Sequence, residues 1–195
     1  MVEPFAQYLI ENGGLKPFEI DAVEKVSTFK KIRKNQYLLE KGETSNFMCF
    51  VVKGSFRMFR VGEDGQEHIM RFAIEDWWIS DFASFMNAQP SYAFIEALED
   101  SELIMITKAT WENLLETIPN FKRMINNLST RNFEAHQNRI FSNISESAET
   151  RYESFVNQFP SIYNRIPLYM IASFLGLTRE TLSRIRKQSV KKITG

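Results

Sequence analysis

The chain is poor in the residues that build reactive or cross-linked sites. Its 195 residues include one cysteine, Cys49, and two histidines, His68 and His136. A single cysteine excludes an intramolecular disulfide and any zinc or iron–sulfur centre built on several thiolates, and it suits a reducing cytoplasm. Cys49 lies within Phe47-Met48-Cys49-Phe50-Val51-Val52, where a buried, inert thiol is expected rather than a nucleophile. Two isolated histidines make neither a catalytic triad nor a metal site. There is no Gly-rich phosphate loop, since Gly62-Glu63-Asp64-Gly65 reads as a turn. Asp76 and Asp81, flanking Trp77-Trp78, are ordinary acids of a strand–turn region. The expectation is a protein that is not an enzyme and holds no metal. No stretch approaches the roughly 18 apolar residues of a membrane span. Residues 1–8 contain Glu3 and Pro4 and lack both a basic start and an apolar run, so no secretory signal is expected.

What is present is a soluble composition, 44% hydrophobic and 25% charged, enough for a real core. The formal net charge is zero, which on its own would argue against a nucleic-acid partner. The charge is unevenly placed, however. From Ser161 to Gly195 seven Lys/Arg stand against one acid, Glu180, whereas the first 160 residues carry 17 Lys/Arg against 23 Asp/Glu. An acidic body with a basic end is the asymmetry of a chain that meets phosphate at that end.

Three regions follow one another. Val2 to Ser27 reads as two short helices, with Pro4 and Pro17 at first turns and Gly13-Gly14 between them. Phe29 to Thr107 reads as seven or eight short strands bounded by turn signals. Asp64-Gly65 lies between two alternating runs, Phe56–Val61 and His68–Phe72, which predicts a hairpin with a type I′ turn. Many short strands with turns about every ten residues imply a sandwich or jelly roll. The remainder is helical: Lys108–Thr117, a long helix from about Asn120 to Ile144, and Ala148–Gln158. In the long helix Phe121, Met124, Ile125 and Leu128 form one apolar stripe. Phe133, Ile140, Phe141 and Ile144 form another, rotated from the first. Two stripes allow the helix to pack on its own domain and on a partner, so a homodimer is expected, with Phe121, Ile125 and Leu128 as dimerisation candidates. The domains expected are residues 1–118, 119–145 and 146–195.

The last segment carries the sharpest signal, over Pro167 to Lys192. Pro167 suits the first turn of a helix, and Ala172 is small enough for a close helix crossing. Gly176 can adopt positive φ and end that helix sharply. Thr178 can cap the next helix, and Leu177 with Leu182 has the spacing of a hydrophobic staple. Leu182 and Ile185 then face Ile171 and Leu175. This leaves Arg179, Glu180, Ser183, Arg184 and Lys187 outward. Arg can bond the acceptor pair of guanine and Glu can accept from cytosine. Helix, tight turn and capped helix with an exposed Arg-Glu and Arg predict a helix-turn-helix that binds DNA through its second helix.

Thr178-Arg179-Glu180-Thr181-Leu182-Ser183-Arg184 resembles the recognition-helix motif of the Crp–Fnr family of bacterial transcription regulators. The order of regions is similar across nearly the whole chain. The resemblance implies an α+β architecture: an N-terminal cyclic-nucleotide-binding-like β-roll, a long dimerisation helix and a C-terminal helix-turn-helix domain. It also implies a cytoplasmic homodimer on two-fold-related double-stranded DNA, with RNA polymerase as a further candidate partner and no membrane role. Arg179, Glu180 and Arg184 would read bases; Thr178 and Ser183 would meet phosphates. About eight residues follow Lys187, so the β wing common in the family is expected to be missing or reduced.

The ligand pocket departs from the family pattern too. Cyclic-nucleotide-binding relatives carry a Gly-Glu pair for the ribose and an Arg-Ser or Arg-Thr pair for the phosphate. Ile95-Glu96-Ala97 resembles the strand that follows, and counting back puts Ser80-Asp81 and Ser91-Tyr92 at those positions. Ser91 lacks the forked, charge-assisted contact that Arg gives phosphate, which argues against cyclic AMP. Trp77, Trp78, Asp81, Ser91 and Tyr92 are the candidate pocket for another, unknown effector, with plain core packing as the alternative for the aromatic residues. No cofactor is expected: iron–sulfur sensing lacks its cysteines, and His68 and His136 suit surface or packing roles better than haem ligation. Two other readings stay open, a small-molecule-binding β-roll whose tail binds protein, and a regulator that keeps cyclic nucleotide binding.

Overall fold

The computed structural model describes residues 3–194, with side chains through Gln188. The chain divides into two compact units, one of Met1–Arg60 and Arg71–Thr130, the other of Val61–Met70 and Arg131–Gly195. The sequence places boundaries at either end of the long helix. The structure divides the chain within that helix and assigns the tip of one hairpin to the second unit.

The first unit begins with α1 (Glu3–Gly13) and α2 (Pro17–Lys25). Eight strands follow: β1 (Thr28–Ile32), β2 (Tyr37–Leu39), β3 (Phe47–Lys53), β4 (Phe56–Val61), β5 (Glu67–Ala73), β6 (Trp78–Ile79), β7 (Phe94–Ala97) and β8 (Ser101–Thr107). They form two four-stranded sheets, ordered β1-β8-β3-β6 and β2-β7-β4-β5, the roll expected from the turn spacing. Strand periodicity explains why β3 reads as an unbroken apolar run. Its Phe47, Cys49 and Val51 belong to the core between the sheets, while Met48 and Phe50 face the cluster made with α1, α2 and later helices. Successive side chains alternate faces, so a strand covered on both sides is apolar throughout. Cys49 is fully buried, and burial pushes its thiol pKa well up.

Two polar devices hold this unit. Glu19 of α2 accepts from the Lys16 backbone N–H at 2.8 Å and from Asn120 Nδ2 at 2.9 Å. The Lys16 bond first, then Asn120, holds its carboxyl below the usual range. Arg57 and Glu96, paired across β4 and β7, make a buried ion pair at 2.6 Å, with the Arg57 guanidinium 4.1 Å from the Phe59 ring centroid.

The sequence reading misses a helix here, α3 (Phe82–Asn87). Six residues are too few to show a 3.6-residue period. Its start is marked by Asp81, whose carboxylate accepts from the Ser84 N–H. The remaining elements of this unit are α4 (Lys108–Thr117) and the first part of α5 (Pro119–Ser145).

In the second unit, the Asp64-Gly65 hairpin forms, but without the expected type I′ turn. Only Gly65 has positive φ, at 76°. Gly62 N–H bonds Gln66 C=O, and Gly65 N–H bonds Gly62 C=O. A type I turn followed by a left-handed glycine is the three-residue alternative. The unit is otherwise helical, with the rest of α5, α6 (Ala148–Gln158), a short α7 (Pro160–Tyr163) missed in sequence, α8 (Leu168–Phe174) and α9 (Arg179–Thr194). Helix α9 runs through the residues after Lys187, and no wing strand follows it among the described residues. Tyr152, Phe155, Ile162, Ile166, Met170, Ile171, Leu175, Leu182 and Ile185 are buried.

Candidate nucleic-acid interface

The turn between α8 and α9 closes by backbone chemistry that glycine makes possible. Gly176 has φ +65°, Leu177 N–H bonds Ala172 C=O at 2.9 Å, and Gly176 N–H bonds Ser173 C=O at 3.1 Å. This is a Schellman cap. Two residues on, Thr178 Oγ1 accepts from the Thr181 N–H at 3.1 Å, the N-cap that starts α9. Leu182 and Ile185 turn inward and are buried, with Ile171, Ala172 and Leu175 buried on α8. The turn and the cap together fix which face of α9 looks out.

That outward face is one groove. Arg179, Glu180, Ser183, Arg184, Lys187 and Gln188 line a shallow depression of about 520 Å³. Arg179, Glu180, Arg184 and Lys187 are exposed, and Ser183 is half-buried. The structure thus brings five of the six nucleic-acid candidates together; Thr178 stands at the helix start, with its hydroxyl engaged in the cap. Arg186 is different in kind. Its guanidinium lies over the Tyr163 ring at 5.3 Å, and Tyr163 is hydrogen-bonded to Tyr152 at 3.0 Å. Burial, then that bond, raises the Tyr152 pKa. Arg186 therefore serves packing, whereas Arg179 and Arg184 point into the groove.

The candidate effector residues take different places in the first unit. Asp81 and Ser91 are buried and bonded to each other, Ser91 Oγ donating to Asp81 Oδ2 at 2.6 Å. Asp81 Oδ1 is taken by Ser84 N–H, and Ser91 Oγ also accepts from Ala93 N–H. Asp81 and Ser91 thus hold the start of α3 and the loop that follows it. Trp78 is buried among Phe50, Trp111, Phe5 and Tyr8, with centroids 5.2–6.4 Å from its own. Trp77 packs half-buried on the inter-sheet core. Tyr92 is 69% exposed and faces Arg60 at 5.8 Å. A cation unforeseen from sequence lies in this region: Arg71 on β5 donates to Trp78 C=O at 3.0 Å, and burial lowers its pKa.

The three dimerisation candidates are all taken up by the chain's own core. Phe121 and Ile125 are buried in the protomer's own helical cluster, with Leu128 packed against it. Their stripe is satisfied within the chain. The second stripe is open: Phe133, Ile140, Phe141 and Ile144 are 54–81% exposed. At about 100° per residue, Phe133, Ile140 and Ile144 fall within roughly 40° of one another.

Residues 29–118 match the cyclic nucleotide-binding domain family. The anaerobic regulatory protein of Pasteurella multocida is 27% identical over 180 residues, covering 86% of this chain and 65% of that protein. The fumarate and nitrate reduction regulatory protein of Yersinia pestis is 26% identical over 198 residues, covering 93% and 78% respectively. The chain therefore spans about two thirds to three quarters of the length of these relatives. The structure of FixK2 from Bradyrhizobium japonicum shares the fold, with a TM-score of 0.74, 18% identity and 86% of each chain covered. A roll of the cyclic-nucleotide-binding type, followed by a long helix and a helix-turn-helix, is the architecture of a DNA-binding transcription regulator. By sequence and fold, this chain is similar to transcription regulators of the Crp–Fnr family.

Proposed function

We propose that the chain binds near-palindromic duplex DNA as a homodimer, with α9 in the major groove. Arg179, Glu180 and Arg184 address base edges, while Lys187, Ser183 and the capped start of α9 at Thr178 lie towards phosphates. The observation that carries this reading is the single groove formed by those outward side chains. The dimer rests on the open stripe of α5, since an exposed row of Phe133, Ile140 and Ile144 is an apolar face a second copy can cover. Regulation acts through binding, not catalysis, in the cytoplasm, with RNA polymerase the natural onward partner.

The effector is not cyclic AMP in this reading, because Ser91 is bonded to Asp81 and offers no cation to a phosphate. A thermal-shift titration tests the point. Cyclic AMP at a hundredfold excess over its Kd would add about 2.7 kcal/mol of stability, and the expected result is no shift. For DNA, the test is reversal of both Arg179 and Arg184 to Glu. Binding is expected to vanish while the fold persists by circular dichroism; unchanged binding would favour a tail that contacts protein.

A further inference from the structure

Strand β5 is an edge strand of its sheet, so one side of its backbone needs partners from elsewhere. In the second unit those partners come from α8 and from the second half of α5. Ser173 Oγ on α8 accepts from Ile69 N–H at 2.9 Å and donates to Glu67 C=O at 3.1 Å. One hydroxyl thus replaces a rung of a missing strand. Arg139 on α5 donates to Met70 C=O at 2.7 Å while lying over the Phe174 ring at 4.9 Å. The hairpin is therefore held by two hydrogen bonds to Ser173 of the helix-turn-helix and one from Arg139 of the long helix.

Docking puts the tip beside the reading head. A groove of about 810 Å³ has Gln66 and Glu67 on one wall and Tyr169, Gly176, Arg179 and Glu180 on the other. The tip carries Glu63, Asp64 and Glu67. When the start of a recognition helix enters the major groove, phosphate rails pass on both sides of it. An acidic tip at that place repels those rails and narrows their approach. The bonds that hold it are made by neutral backbone groups on an open strand edge, which water can satisfy on release.

Resting on the DNA-binding reading above, we propose that the Val61–Met70 hairpin is an autoinhibitory latch, held by Ser173 and Arg139 beside the first turn of α9 and displaced when DNA binds. The full chain and a duplex recovered by site selection test this. Ser173→Ala removes two latch bonds without altering charge or any residue of the outward face of α9. It should bind the duplex at least threefold more tightly than the parent. Neutralising two tip charges (Glu63→Gln, Glu67→Gln) should tighten binding more than Glu112→Gln with Glu116→Gln on α4. Hydrogen exchange at the Ile69 amide should be slow in the free protein, and faster in Ser173→Ala and in the DNA complex. Unchanged or weaker binding by Ser173→Ala, or an Ile69 amide that stays protected in the complex, overturns the latch while leaving DNA binding intact. If parent and variants alike bind no duplex, both readings fall; if only the variants bind, the latch is supported.

Discussion

Three arginines close together in sequence have different work. Arg179 and Arg184 line the outward groove, whereas Arg186 lies on Tyr163. Arg184→Ala should cost about 1–3 kcal/mol at a specific site and relax base preference there. Arg186→Ala should leave base preference alone and lower thermal stability; equal loss of specificity in the two variants would contradict this division. Burial sets a second contrast. The Arg57–Glu96 pair is within the roll, about a tenth exposed on either side chain. Removing one partner strands the other's charge, so Arg57→Met should destabilise by about 3–5 kcal/mol in denaturant titration. These roles differ in how legible they are. Arg179 and Arg184 could be read from helical spacing, because Leu182 and Ile185 fix the inward face. The partners of Arg57, Arg71 and Ser173 could not, because they lie on strands or helices brought close only by the fold.

At the scale of elements, local rules carried most of the information. The helix-turn-helix shows in sequence because a positive-φ glycine, a threonine cap and a leucine staple sit within seven residues. Helix α6 likewise begins after Ser147, whose hydroxyl accepts from Thr150 N–H. Helices α3 and α7 escaped because four to six residues show no period. The hairpin turn differs from expectation because Gly65 alone takes positive φ. In the candidate pocket, Asp81 and Ser91 bond each other, a partnership that spacing alone does not show. The capping carboxylate of α2 makes a pH prediction. Glu19 has a lowered folded pKa, so its contribution is present above the unfolded carboxylate pKa and is lost as pH falls through the folded one. Glu19→Gln should therefore be less stable than the parent at pH 7, with the gap closing in acid. A gap that stayed constant down to pH 3 would remove the carboxylate from this account.

At the scale of the whole molecule, the long helix contributes residues to both compact units. Its first stripe, Phe121, Met124 and Ile125, is buried at home, and its second, Phe133, Ile140 and Ile144, is exposed. Sequence periodicity shows both stripes, but not which of them the protomer fills. Placing Asp at Ile140 and Ile144 should convert a dimer to a monomer in sedimentation analysis without loss of helicity. A parent protein that is already monomeric at micromolar concentration would contradict the open stripe's role. The central claim is that paired copies of α9 read DNA, and randomised-site selection with salt titration tests it most directly. The account predicts recovered sites that are near-palindromic, with half-sites about 10 base pairs apart centre to centre and affinity that falls steeply with salt. Asymmetric sites, or no salt-sensitive binding to any duplex, would contradict it.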